Sequence, residues 1–157
     1  MTYYAQYDTR NGELSKAECK CLSDFIENIE ITKNIYDEIE KYKYVNGEIT
    51  HDPDYEERKA QEEVKRISML SLTAADVERA IYKAKGMDFE DILEFVKNKP
   101  DIDLKALKIE LKANNFYRGN PYIDTIGTLL GLTAKQLDEF FETNDYRKLE
   151  KTEVTDD

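Results

Sequence analysis

The stretch NNFYRGNPYIDTIGTLLGLTAKQLDEFF, residues 114–141, decides how the second half of this chain is read. It packs aromatics, an arginine, glycines and a proline into surroundings dominated by helix formers. Most of that composition is helix punctuation. Gly119 is placed to terminate a preceding helix, Asn120 is a good N-cap, and Pro121 suits the first helical position, where its missing N–H costs nothing. Ile123, Ile126, Gly127 and Leu130 then share one helical face, and Gly131 ends the helix. The next helix starts at once. Thr133 caps it, Gln136 completes a capping box, Leu132 staples onto Leu137, and Phe140 and Phe141 continue the apolar face. Phe116 and Tyr117 read as core or elbow residues. Arg118 is the one residue whose type the local geometry does not demand.

Upstream the same formula occurs in LTAADV. Thr73 is the N-cap, Asp76 stands at the third helical position, and Leu72 faces Val77. Val77, Ala80, Ile81 and Ala84 follow at i, i+3, i+4 and i+7, and Gly86 closes the helix. Asp88 caps another helix carrying Phe89, Ile92, Leu93 and Val96, which Pro100 stops. Residues 104–113 alternate like a strand through Leu107, Ile109, Leu111 and Ala113. Their alanine, leucine, lysine and glutamate are nevertheless good helix formers, and a helix is expected.

The first half has a different texture. TYYAQYD reads as a strand over 2–7, with a turn at Asn11-Gly12 and a returning strand. Thr32 is a candidate N-cap for a helix carrying Ile35, Tyr36 and Ile39. In YKYVNGEIT, Asn46-Gly47 fits the two positive φ angles of a type I′ hairpin turn. From Asp52, a cap candidate, and Pro53, a charged helix follows. Its i,i+4 pairs are Arg58–Glu62, Lys59–Glu63 and Glu62–Arg66, and its thin apolar stripe is Ala60, Val64 and Ile67. Such a helix lies against a neighbouring domain or pairs with copies of itself.

Acidity is distributed along the chain. Residues 1–50 carry 6 basic and 10 acidic side chains, residues 51–100 carry 9 and 12, and residues 101–157 carry 8 and 12, for a net charge of -11. A surface of that sign disfavours phosphate backbones and admits a basic partner. No apolar run is long enough to cross a bilayer, and the first residues lack the layout of a signal peptide, so a cytoplasmic protein is expected. Cys19 and Cys21 form a C-x-C with no second cluster, and His51 is the only histidine. Reduced cysteines on a strand and a turn histidine are expected, with no metal, no cofactor and no catalytic residue. GTLLGLTAKQLDEFF also has the spacing of a DNA-binding helix-turn-helix. Its second helix, however, offers Asp138, Glu139 and Glu142, which repel a phosphate backbone.

Three segments, YKYVNGEITHDPDYEERKAQEEVKRI, LSLTAADVERAIYKAKG and FYRGNPYIDTIGTLLGLTAKQLDEFFETNDY, resemble small proteins encoded by tailed phages and prophages of Gram-positive bacteria, often beside tail or tail-fibre genes. The likeness spans residues 42–146. It implies virion assembly, tail attachment or a host-interaction role, in the host cytoplasm or in the virion, and it brings no catalytic residues with it. It also raises small acidic phage proteins that block host defence nucleases by mimicking nucleic acid.

The expected fold class is α+β, mostly α. It comprises a small β/α module over 1–52, a connecting helix over 53–71, a bundle of short helices over 72–146 and a flexible acidic tail over 147–157. The expected function is a non-catalytic assembly or interaction module. The alternatives are the acidic inhibitor and a helix-turn-helix regulator. The expected partner is a phage structural protein or a host protein, with neither nucleic acid nor membrane, and a homo-oligomer is allowed. Tyr117, Arg118 and Tyr122 are the candidate contact residues.

Overall fold

Alternating side chains in TYYAQYD build the first sheet. In a computed structural model that describes residues 1–150, β1 (Tyr3–Asp8) lies between β2 (Glu13–Ala17) and β3 (Ile26–Ile31), antiparallel to both. Tyr3, Ala5 and Tyr7 share one face of β1. Ala5 is fully buried, Tyr3 packs on Tyr36 with ring centroids 4.7 Å apart, and Tyr7 stacks on Tyr44 at 4.2 Å. β3 interrupts what reads in sequence as the approach to a helix. Its Asn28 sits half-buried because a loop satisfies it: Oδ1 accepts from the Cys21 N–H and from Gln6 Nε2, and Nδ2 donates to the Cys21 carbonyl. Cys19 and Cys21 therefore lie in the β2–β3 loop rather than on a strand, both as free thiols.

Thr32 caps α1 (Lys33–Asp37) as expected, but the helix is a short one, and Ile39 falls in a 3-10 turn, Ile39–Lys41. The chain must leave the helix there to form β4 (Tyr42–Val45), which pairs with β5 (Glu48–His51). Asn46 and Gly47 have φ of 50° and 86°, the pair of positive angles a tight hairpin requires. His51 is the last residue of β5, exposed, with its ring edge-on to Tyr42, rather than a turn residue. Asp52 is buried. Its carboxylate accepts from the Asp54 N–H and from Arg58, and the Arg58 guanidinium draws its pKa below the usual carboxylate range.

The segment expected as a connecting helix forms α2 (Tyr55–Ser68). The chain divides within it into two units, Met1–Gln61 and the part from Glu62 onward.

The second unit opens with β6 (Ser71–Thr73), which runs directly into α3 (Ala74–Lys85) through the Thr73 cap. Gly86 ends α3 at φ 71°, and Asp88 with Asp91 forms a full capping box on α4 (Phe89–Val96). α5 (Leu104–Glu110) settles the ambiguous segment as a helix: Leu107 and Leu111, spaced i,i+4, are both buried, whereas the strand alternant Ile109 is exposed. A strand, β7 (Asn115–Tyr117), pairs with β6 where a helix ended by Gly119 was expected. α6 (Pro121–Leu129) and α7 (Ala134–Thr143) then follow, with the Asn120 and Thr133 caps in place. Residues 1–150 are thus α+β, 48% helical and 21% strand, mostly helix after a small N-terminal sheet.

The core of the second unit runs from Val77 to Leu149. Phe116 meets Phe89 edge-to-face at 5.8 Å, and Gly127 lies against Leu137: a Cβ at Gly127 would stand 2.6 Å from Leu137 Cδ1. One expectation fails at the far end of this core. The tail does not begin at 147, because Tyr146–Leu149 forms a 3-10 turn that places Leu149, 1% exposed, in the core. Asp145 holds that turn by accepting from the Arg147 N–H and side chain. The acidic residues 151–157 lie outside the described residues.

Two outcomes test this closure. Leu149→Ala removes a fully buried side chain and should cost about 2–5 kcal/mol in urea unfolding, against less than about 0.5 for Lys148→Ala. The Asp145 carboxyl, held at about 2 first by the Arg147 side chain and then by its N–H, lies below its ordinary value near 3.8. Its contribution to stability is therefore complete above that ordinary value and lost as pH falls through about 2. A carboxyl-detected NMR titration should show that midpoint, and Arg147→Gln should raise it.

Candidate partner-binding groove

Residues 68–70 and 118–119 meet through the backbone. The Arg118 N–H donates to the Leu70 carbonyl at 2.8 Å and the Gly119 N–H to the Ser68 carbonyl at 3.0 Å. Glycine is required at this crossing, since a Cβ on residue 119 would stand 2.9 Å from that same Ser68 oxygen. The contact sets the elbow between β7 and α6 against the last turn of α2.

Arg118 is 7% exposed. Its Nε donates to Asp138 Oδ1 at 2.6 Å and its Nη1 to Asp124 Oδ1 at 2.9 Å, so one guanidinium ties the elbow to α6 and α7. A second arginine repeats the arrangement one turn along α7. Arg66 on α2 donates to both oxygens of Glu63, at 2.7 and 2.9 Å, and to both oxygens of Glu142, at 2.6 and 2.9 Å. Glu63 and then Glu142 push the Arg66 pKa up, and Arg66 holds both carboxyls below their usual range.

Between these two ion triads lies an open groove of about 330 Å³, lined by Glu63, Val64, Ile67, Ser68, Arg118, Gly119 and Asp138. Val64 is 71% exposed on this wall. The thin apolar stripe seen in the sequence thus presents its second half, Val64 and Ile67, to this opening. A second space in this unit, about 20 Å³, is a packing gap in the core with an apolar lining.

The three candidate contact residues do not form one surface. Tyr117 points outward from β7 opposite Ser71 and is 57% exposed. Tyr122 is half-buried against the core. Arg118 is inside, and the geometry that demands it is tertiary: its partners stand 6 and 20 residues away. Of the three, only Arg118 lines the groove. Glu63, Ser68 and Asp138 were missed as site residues. The one available signal was the coincidence of an arginine unexplained by local geometry with an excess of carboxylates on the following helices.

Among the described residues, no group of three His, Cys, Asp or Glu is placed to hold a metal ion, and no buried side-chain polar atom lacks a hydrogen-bond partner. No helix there is long and apolar enough to cross a membrane. The chain matches no protein-family model, and comparisons with curated proteins and with solved structures find no match.

Removing Arg118 tests whether it holds the elbow. Arg118→Ala leaves two carboxylates without their shared cation and should cost about 1–3 kcal/mol in urea unfolding, the range for charge-assisted hydrogen bonds, reduced because Asp124 and Asp138 are partly solvated. Arg118→Lys should recover only part of this, since a lysine lacks the planar fork that spans both partners. Unchanged stability in both variants would show that the elbow is held by backbone and packing alone.

Proposed function

We propose that this chain is a non-catalytic protein-interaction module of a phage or prophage, acting in assembly or attachment in the tail region. The observation that carries the reading is the open groove on the second unit, where exposed Val64 and half-buried Ile67 share the lining with Glu63, Arg118 and Asp138. That mixture is the make-up of a protein contact: an apolar floor to exclude water and polar flanks to fix orientation. The resemblance of residues 42–146 to small phage proteins of the tail-gene neighbourhood supplies the context. The partner is a phage structural protein or a host protein, and the protein is placed in the host cytoplasm, with incorporation into the virion as the assembly role requires.

The net charge of -11 favours a second reading, an acidic inhibitor that occupies the nucleic-acid groove of a host nuclease. The helix-turn-helix alternative has less support. Two of the carboxylates on α7 are engaged by arginines, Asp138 by Arg118 and Glu142 by Arg66, and these contacts seat the helix within its own unit.

Affinity purification of the tagged chain from infected or induced cells, with mass spectrometry, separates the two readings. The module should retrieve a virion component and lose only part of it, the share held by charged contacts, as salt rises from about 0.1 M to about 1 M. Over that range the Debye length falls from ~10 Å to ~3 Å. The inhibitor should retrieve a basic host nuclease and lose nearly all of it. Retrieval of neither would remove both.

A further inference from the structure

We propose that the groove between α2 and the Arg118 elbow takes a lysine or arginine side chain presented by the partner protein. This rests on the interaction-module reading and adds the chemistry of what the module holds.

Charge comes first. Arg118 is shared between Asp124 and Asp138, and Arg66 between Glu63 and Glu142. Each triad joins one cation to two anions, so each keeps one net negative charge. Among the described residues, the only basic one in the lining is Arg118, which is already engaged twice. An incoming cation would therefore meet a surplus of carboxylate at both Glu63 and Asp138.

Shape selects among cations. Val64, exposed, and Ile67, half-buried, line the groove along with those carboxylates, which suits a long basic side chain whose methylene stem lies on the apolar pair and whose head meets the carboxylates. A volume of about 330 Å³ lies at the small end of ligand sites, room for one long side chain with its hydration but not for a helix. Other occupants fit less well. An acidic group would face the same surplus. A purely apolar one would strip water from Glu63 and Asp138 with nothing in return. A second copy would bring another chain of net charge -11.

The test is a ¹⁵N NMR titration of the full chain with N-acetylarginine amide, with N-acetylnorleucine amide and N-acetylglutamate amide as comparisons. Saturable shifts are expected at the amides of Val64, Ile67, Ser68 and Gly119, with a dissociation constant on the order of millimolar, as suits so small a fragment. The two comparison amides should bind at least about tenfold more weakly. Val64→Lys places a competing cation in the groove from an exposed position, and a preserved spectrum shows that it folds. This variant should weaken the arginine amide by about tenfold or more. Absent or scattered shifts, equal binding of the norleucine or glutamate amide, or unchanged binding by folded Val64→Lys would each overturn the proposal. Purification of a partner with both proteins separates the two levels. If wild type and Val64→Lys retrieve the same virion component equally, the groove assignment falls and the module stands. If wild type retrieves none, the module itself falls.

Discussion

A short antiparallel ribbon holds the second unit together. Leu72 lies opposite Phe116, the Ala74 N–H reaches the Asn114 carbonyl at 2.8 Å, and the two bonds from Arg118 and Gly119 extend the pairing past the strands. Segments more than forty residues apart are thereby joined, at an entropic cost that local propensity cannot offset. What offsets it is apolar burial. Leu72 and Phe116 point into the core while Asn115 and Tyr117 point out. The ribbon also sets two helix origins. Thr73, its last residue on one side, is the cap of α3, and Asn120, just beyond it on the other, is the cap of α6. The groove exists because this ribbon brings Gly119 onto Ser68.

The unit uses one local formula twice. LSLTAADVERAI and LGLTAKQLDEFF place the same Leu-Thr-Ala start ahead of two turns of helix. In both, the threonine side chain accepts from the N–H three residues on, and in both the fourth, seventh and eighth helical positions are buried. The fillings differ: Val77, Ala80 and Ile81 against Leu137, Phe140 and Phe141. α3 thus brings smaller side chains to the shared core than α7 does. Both helices end in a left-handed residue, Gly86 in one and Asn144 in the other, and asparagine is among the few non-glycine residues that adopt that conformation readily.

What was legible in the sequence is what local chemistry determines. The caps at Thr32, Thr73, Asp88, Asn120 and Thr133, the Asn46-Gly47 turn and the apolar faces of α3, α4, α6 and α7 all follow from residues within a turn or two of one another. What was not legible depends on distant partners. β6 and β7 are three residues each and exist only as a pair. β3 breaks alternation at Asn28, whose polar side chain is tolerated because Gln6 on β1 and the loop leading into β3 satisfy it. Leu149 follows a charged run and reads as tail until the core is seen to lack a side chain at that place. The groove was half legible: Val64 and Ile67 stood out as a sticky edge, but Arg118 and Asp138 acquire meaning only through each other.

The arginines explain how so acidic a chain presents itself to a partner. All six are ion-paired within the fold: Arg10 with Asp8, Arg58 with Asp52, Arg66 with Glu63 and Glu142, Arg79 with Asp76, Arg118 with Asp124 and Asp138, and Arg147 with Asp145. The guanidinium, the group best suited to gripping a phosphate or a carboxylate from outside, is in each case engaged by a carboxylate of this chain, although Arg10, Arg79 and Arg147 remain largely exposed. Carboxylates outnumber lysines and arginines on the surface that remains. A surface of this kind gains little affinity from any single exposed pair. It gains orientation and encounter rate from the summed field, and specificity where that field converges on an apolar wall. The two triads beside Val64 are such a place, because there the arginines fix the carboxylates in position without cancelling their charge.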